Sequence, residues 1–300
     1  MCNVNLFITW DVTPEIIEGW KTPNYYGLLF VTGLMVGYFV IKRMFKREGV
    51  HDKYLDQLVL YVVIATIVGA RLGHVLFYGP YWDVYQGDML IREGYFSNPL
   101  SILKVWEGGL ASHGGAIALL IALWLYSRHL VKLPILWVLD RIVAPFAIAA
   151  CFIRMGNLMN SEIVGGPTDV SWAFSFPHYY NSETYRYDDT PRHPAQLYEA
   201  ISYIFIFAFL MFLFWKKKLY QKRGVLFGTF LILLFGARFI IEYVKLGQTD
   251  RDAELAINTG QILSIPFVVA GILILWRGLK KERVETDTDH LKVVEEKAKK

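Results

Sequence analysis

Apolar stretches of about 20 residues recur along this chain, and they constrain its fold more than any other feature. We count seven, each long enough to cross a bilayer as an α-helix. With 54% hydrophobic residues and a mean hydropathy of +0.33, the chain is too apolar for an ordinary soluble domain. The sequence therefore predicts an all-α polytopic membrane protein, with spans near residues 25–41, 57–78, 110–127, 135–153, 196–215, 224–244 and 260–276.

Lysine and arginine are concentrated in alternate loops, and this sets the predicted orientation. The basic loops follow the first, third and fifth spans, and the segment after the seventh span is also rich in lysine. Because short cytoplasmic loops carry the excess of Lys and Arg, we expect the N-terminus outside and the C-terminus in the cytoplasm.

Three segments outside the spans complete the predicted organisation. Residues 79–109 mix aromatic and charged side chains, and we expect them to form a surface arm on the membrane. Residues 156–195 are polar and aromatic, and we expect a small extracytoplasmic head with short strands. We expect residues 1–279 to form one membrane domain that includes arm and head. Residues 280–300 are expected to form a charged cytoplasmic tail, to which we assign no chemistry.

Several function classes lack their sequence signals. The net charge of +4 comes from loops and forms no basic stripe with exposed aromatics, so no nucleic-acid partner is expected. Cys2 and Cys151 are too few for a disulfide framework and have no metal-ligand spacing. Residues 1–23 carry acids and no apolar core, so we do not expect a cleavable signal there. No metal or cofactor is predicted.

The segment at 151–166, CFIRMGNLMNSEIVGG, places polar side chains at the outer end of the fourth span. Arg154, Asn157 and Asn160 follow at steps of three, which puts them on one helix face, and Glu162 comes just after them. Arg154 alone could be an interfacial anchor that extends toward lipid headgroups. With three polar partners, it indicates a binding site instead, because intramembrane charges are costly.

The other intramembrane polar residues fall on the same side under the predicted orientation. A scattered distribution over both leaflets would indicate incidental polar residues, whereas clustering predicts a polar chamber open to the outer leaflet. The main exception is Asp140 with Arg141 at the inner end of the fourth span, which we interpret as a local ion pair. The outer set comprises Tyr25, Tyr26, Arg71, His74, His113, Arg154, Gln196, Tyr198, Glu199, Arg238, Glu242 and Gln261.

The chemistry of this set points to a phosphate group. Two or three arginines in one low-dielectric chamber need an anion between them, and a guanidinium fork suits phosphate oxygens. The abundant anion at that depth is a phospholipid headgroup. His113 is the candidate proton acceptor. The chain contains no serine nucleophile elbow, HExxH or paired-aspartate motif, and nothing indicates ATP or a redox cofactor.

Several motifs resemble those of one family, the prolipoprotein diacylglyceryl transferases. The similarity runs in order from Tyr26 to Pro266, and its most specific part is the block of Arg, Gly, two Asn, Glu and Gly at 154–165. The motifs are GARLGHVLFY (69–78), WEGGLASHGG (106–115), IRMGNLMNSEIVG (153–165), RHPAQLYEA (192–200), RFIIEY (238–243) and GQILSIP (260–266).

The resemblance implies a seven-helix enzyme of the bacterial inner membrane. It would transfer the sn-1,2-diacylglyceryl group of phosphatidylglycerol to the lipobox cysteine of a preprolipoprotein and release glycerol 1-phosphate. The implied catalytic residues are His113, Arg154 and Arg238. The resemblance also implies substrate binding by Arg154, Asn157, Glu162, Gly165 and Tyr26. The clustering of polar residues adds Asn160, Arg71 and Glu242 to the predicted substrate-binding set.

The chain departs from the family pattern at three positions. Leu158 stands where an aromatic is frequent, Leu234 where a tyrosine often precedes the second arginine, and His74 where many members have tyrosine. A transporter or lipid-binding protein without catalysis is the alternative, and it would predict inverted repeats with paired broken helices. An intramembrane hydrolase is a second alternative, and it would require a Ser–His or paired-Asp set.

Overall fold

A computed structural model describes residues 7–20, 22–105, 108–181, 185–245, 257–281 and 289–291. Within those residues, seven helices are long and apolar enough to cross a membrane, so the predicted seven-span all-α architecture is confirmed. They are α1 (Tyr25–Glu48), α2 (Asp52–Phe77), α3 (Ser112–Leu125, continued by a π-helical turn, Tyr126–Val131), α4 (Ile135–Met159), α5 (Ala195–Trp215), α6 (Val225–Ile241, continued by a 3-10 turn, Glu242–Val244) and α7 (Thr259–Lys280).

The helices extend beyond the predicted spans where polar residues continue the hydrogen-bonded ladder. The last turn of α1 carries Lys46 and Arg47, whose charges oppose the negative end of the helix dipole. At the start of α7, Asn258 and Gln261 form a reciprocal capping box. α4 runs to Met159, so Arg154 and Asn157 are helical residues rather than part of the following loop.

The chain divides into two compact units. The first comprises residues 1–43 and 139–286, and the second comprises residues 44–138 and 287–300. The predicted boundary between membrane domain and tail at residue 279 stays a prediction.

Small residues let the helices of the first unit approach closely. A Cβ on Gly33 of α1 would lie 2.8 Å from Phe152 Cβ on α4. One on Gly228 of α6 would lie 2.8 Å from the Gly271 carbonyl oxygen on α7. Such contacts replace hydrophobic association inside a bilayer, where lipid tails are as apolar as leucine.

Asp140 has a role beyond the local ion pair with Arg141 expected from the sequence. It is fully buried, and its carboxylate accepts hydrogen bonds from the backbone N–H groups of Gly224 (2.6 Å) and Phe227 (2.8 Å) at the start of α6. Gly224, the N-cap residue, has no side chain to accept these bonds. Asp140 therefore caps α6 from another helix, and Arg141 lies close enough to stabilise its charge.

The head contains short strands, as expected, and an N-terminal strand joins it. β1 (Ile8–Thr9) pairs in parallel with β4 (Phe174–Ser175), and β5 (Tyr180–Asn181) pairs with β6 (Arg186–Tyr187). The head's hydrophobic core consists of Leu158, Val164, Phe174 and Phe176, with Trp10 packed against it. The N-terminal strand was not predicted because its partner lies far along the chain.

In the second unit, α2 and α3 pack on glycines, and the arm extends from α2. A Cβ on Gly69 would lie 2.7 Å from the Gly114 carbonyl oxygen. The arm contains the hairpin β2 (Val84–Gln86) and β3 (Met89–Arg92), followed by a 3-10 turn, Pro99–Leu103.

Most of the tail at 280–300 lies outside the described residues, but residues 289–291 are described and belong to the second unit. They form a 3-10 turn (Asp289–Leu291). Leu291 is fully buried, and its carbonyl accepts from the His51 N–H at 2.7 Å.

Candidate active site

Arg154, in the second-last turn of α4, is the centre of a polar network in the first unit. Its Nε lies 2.7 Å from Glu199 Oε2, and its Nη1 donates to Asn157 Oδ1 at 3.1 Å. The Glu199 side chain is 2% exposed and that of Arg154 is 22% exposed, so water screens the pair weakly. Contacts at two different nitrogens therefore orient the guanidinium.

The chain beyond α4 folds back onto this network. Asn157 Nδ2 donates to Glu162 Oε1 at 2.8 Å, and Asn160 Nδ2 donates to the same oxygen at 3.2 Å. Gln196, at the start of α5, donates to the Glu162 backbone carbonyl at 2.6 Å. The structure thus brings together the polar residues predicted at 154–162, with Glu162 as the acceptor for both asparagines.

A lysine and a second carboxylate extend the network toward the end of α6. Lys245 Nζ lies 2.8 Å from Glu199 Oε1 and 3.9 Å from Glu242 Oε2, and all three side chains are nearly fully buried. Gly260 leaves room for Glu242, because a Cβ there would lie 2.5 Å from the Glu242 carboxylate. Glu199 therefore bridges Arg154 and Lys245.

Arg238 reaches the same cluster from α6. Tyr203 on α5 interacts electrostatically with Arg154, Glu199 and Arg238, so its hydroxyl lies among these charges. The Nε of Arg238 is buried and has no hydrogen-bond acceptor in the described part of the chain. An anionic ligand would satisfy this buried donor.

Two further predicted residues, Tyr26 and Gly165, lie next to the network. Tyr26 interacts with Glu162 and Arg154, and its ring packs on Gly156, where a Cβ would lie 2.8 Å from Tyr26 Cδ2. Gly165 donates its N–H to the His193 carbonyl at 2.9 Å, and a Cβ on it would lie 2.6 Å from that oxygen. Gly165 joins the head to the start of α5 by close backbone approach.

The charges of this cluster are balanced by the protein itself. From the sequence, an external anion was expected between the arginines, but in the structure three carboxylates lie among three cations. The cations are Arg154, Arg238 and Lys245, and the carboxylates are Glu162, Glu199 and Glu242. A ligand phosphate would therefore displace part of an existing arrangement rather than fill an uncompensated one.

Two residues of this cluster, Lys245 and Tyr203, were not among the predicted polar residues, whereas Glu199 was predicted in the polar chamber without an assigned role. Glu199 was visible in the sequence as a carboxylate in the first turns of an apolar span, but nothing identified its partner. Lys245 lies three residues after Glu242, a spacing that could have signalled a pair. Tyr203 had no sequence signal among the many aromatics of the span.

Two predicted site residues, Arg71 and His113, belong to the second unit. The guanidinium of Arg71 is buried and donates to four backbone carbonyls of the arm, those of Ser101, Ile102, Gly108 and Gly109. These bonds hold the Arg71 guanidinium against the arm. Its predicted role in substrate binding stays a prediction. His113 is exposed in the first turn of α3.

Comparison with known proteins decides the family. The family model for prolipoprotein diacylglyceryl transferase matches residues 17–277. The chain belongs to the prolipoprotein diacylglyceryl transferase family. The resemblance seen in the motifs is therefore confirmed, and the chain is a multi-pass bacterial membrane protein.

Individual relatives cover nearly the whole chain. A phosphatidylglycerol–prolipoprotein diacylglyceryl transferase of Tolumonas auensis is 46% identical over 274 residues, which cover 91% of this chain and 98% of the relative. Proteins of the same name from Porphyromonas gingivalis and Chloroherpeton thalassium are 45% and 41% identical, over 91% and 93% of this chain and 95% and 97% of the relatives. The residues of the Arg154 network lie within the span that the family model matches.

Proposed function

We propose that this protein transfers the sn-1,2-diacylglyceryl group of phosphatidylglycerol to the cysteine thiol of prolipoproteins and releases glycerol 1-phosphate. Membership of the transferase family and the names of the relatives support this substrate pair. The structural observation that carries the proposal is Arg154 near the C-terminal end of α4, oriented by Glu199 and Asn157. Such a fixed guanidinium suits a phosphodiester.

In the proposed mechanism, Arg154 and Arg238 bind the phosphodiester of the lipid. The buried Nε of Arg238 supports its part, since it has no protein acceptor among the described residues. Both cations would offset the charge that grows on the leaving glycerol phosphate. A chain of hydrogen bonds orients the Arg154 guanidinium: it donates to Asn157, and Asn157 and Asn160 both donate to Glu162.

The group transfer occurs at carbon rather than at phosphorus. The cysteine thiol of the second substrate gives its proton to His113, directly or through water. The thiolate then attacks glyceryl C3, so a carbon–sulfur bond forms while the carbon–oxygen bond to the phosphate breaks. The electron pair leaves with glycerol 1-phosphate. The exposed position of His113 at a helix start is compatible with access by a second substrate.

The proposed orientation in the membrane follows from the charge pattern of the loops. We place the protein in the bacterial inner membrane, with the N-terminus outside, the C-terminus in the cytoplasm and the active site toward the periplasmic leaflet. The protein substrate is the lipobox segment of a preprolipoprotein. The arm at 79–109 and the head at 156–195 are placed on the outer side.

The deciding experiment uses purified protein in detergent with phosphatidylglycerol and a lipobox peptide. We expect glycerol phosphate to appear only when the peptide contains its cysteine, and the peptide to gain the mass of a diacylglyceryl group. Release of glycerol phosphate without peptide would identify a phospholipase instead. Lipid binding with no release under either condition would favour the non-catalytic alternative.

Variants in the same assay test the residue assignments. Arg154→Lys keeps the charge but loses the fork, and we expect the rate to fall at least 100-fold, about 2.7 kcal/mol of transition-state stabilisation. The matched control is Arg186→Lys, at an exposed position on β6, with no expected change. If His113→Gln keeps nearly full activity while Arg154→Lys is inactive, the proton acceptor is another group and the phosphate-binding role remains.

A further inference from the structure

The second unit contains a polar pocket beneath the arm that the proposed mechanism does not use as a ligand site. Its volume is about 250 Å³. The lining residues come from the outer end of α2 and from the arm, and all belong to one unit. They are Arg71, His74, Pro80, Arg92, Glu93, Tyr95, Ser101, Gly108 and Gly109.

The inner wall of this arm pocket is rigid. Arg71 is 5% exposed, and four of the five guanidinium N–H donors are used by backbone carbonyls at 2.6–3.2 Å. Its guanidinium lies 5.1 Å from the centre of the Tyr95 ring, and the Tyr95 hydroxyl lies 3.1 Å from His74 Nδ1. A ligand would find these groups already ordered, which lowers the entropic cost of binding.

The pocket is also positively charged. All four acceptors of Arg71 are neutral carbonyls, so these bonds leave its charge in place. Arg92 adds a second guanidinium, whereas Glu93 supplies one carboxylate, which accepts from Asn98 Nδ2 at 3.0 Å. The formal charge of the lining is therefore +1 with His74 neutral. Arginine forks recognise phosphate oxygens in two-point contacts.

Gly109 keeps the pocket open on the side of α2. Its φ is +69°, a conformation that favours glycine. A Cβ there would lie 2.8 Å from Arg71 Nη1 and 3.0 Å from His74 Cε1. The backbone can therefore pass close to both side chains without filling the cavity.

We propose that the arm pocket binds a glycerophosphate group, with Arg92 and Arg71 on the phosphate. The choice of glycerophosphate rests on the proposed function, because that reaction consumes a glycerophosphate lipid and releases glycerol 1-phosphate. A cavity of about 250 Å³ is below the common range of drug-sized sites, about 300–1,000 Å³, and suits a small polyol phosphate. The group can come from a lipid headgroup or from the free product.

Chemical protection of Arg92 tests this site without any transfer reaction. Protein in phosphatidylcholine nanodiscs is treated with phenylglyoxal, and peptide mass spectrometry measures the modification rates of Arg92 and Arg186. Adding sn-glycerol 1-phosphate should slow the modification of Arg92 at least fivefold and leave that of Arg186 unchanged. Nanodiscs that contain phosphatidylglycerol, without added glycerol phosphate, form the second arm.

The two arms distinguish the sources of the group. Protection by soluble glycerol phosphate identifies the free product as a ligand, and protection by phosphatidylglycerol identifies a headgroup. No protection in either arm overturns the proposal. Because no acceptor peptide is present, protection of Arg92 in a protein that fails the transfer assay would count against the proposed function and not against the pocket.

A charge variant shows whether the pocket itself binds the anion. Glu93→Gln raises the formal charge of the lining, so the concentration that half-protects Arg92 should fall at least threefold. Glu18→Gln makes the same charge change at an exposed position outside the pocket and should leave that concentration unchanged. If both variants behave like the parent protein, the charge of the pocket does not hold the anion, and the proposal is wrong.

Discussion

Replacing Asp140 with alanine should be among the most destabilising single changes outside the active site. Its carboxylate is the acceptor for the first backbone N–H groups of α6, at 2.6 and 2.8 Å, and the residue is fully buried. Asp140→Ala leaves both N–H groups without that acceptor and removes a negative charge from the positive end of the helix dipole.

The expected magnitude follows from these two bonds. A hydrogen bond to a charged group contributes about 1.5–3 kcal/mol, and two such bonds give a loss of about 3–6 kcal/mol in the free energy of unfolding. The neighbouring Arg141 is 1% exposed and would lose a nearby negative charge, which favours the upper part of that range. Asp140→Asn keeps one acceptor oxygen and should lose about half as much.

Reversible unfolding in mixed micelles, followed by far-ultraviolet circular dichroism, measures these free energies. Asp56→Ala provides the matched control, because Asp56 is exposed on α2 and its loss should change stability by less than about 0.5 kcal/mol. A loss below about 1 kcal/mol for Asp140→Ala would refute the interhelical cap. A reduced rate of transfer with unchanged stability would refute it as well, since it would give Asp140 a catalytic role.

Two further predictions concern the head. Gly165→Ala places a Cβ 2.6 Å from the His193 carbonyl oxygen and should lower both the melting temperature and the transfer rate. The control Gly236→Ala has nothing within 4 Å of the new Cβ and should be neutral or stabilising. Equal effects of the two substitutions would contradict this account. Burial lowers the pKa of His193, so the unfolded state binds its proton more readily and stability should fall as the pH drops below about 6.5. His193→Asn should weaken that loss between pH 7.5 and 5.5 in thermal unfolding, and an unchanged pH dependence would exclude His193 as its source.

The number of spans and the polar segment at 151–166 could be read from the sequence alone. Span length and apolar composition are local properties that a bilayer imposes on each helix separately, so they can be counted without any tertiary contact. The polar face at 154–160 follows from helical spacing alone. The motifs then indicated the family, because each is a short contiguous segment that can be recognised without the tertiary structure.

Which charges meet depends on how the helices pack. Glu199 could have paired with any cation predicted on its side of the membrane, and helix packing places it between Arg154 and Lys245. Asp140 lies next to Arg141 in sequence, yet its carboxylate caps α6, 84 residues away from its Gly224 partner. The backbone carbonyls that hold Arg71 belong to a loop whose path the sequence does not show. The spacing of polar residues along a helix shows which face a side chain occupies. Its hydrogen-bond or ion-pair partner depends on how distant helices and loops pack.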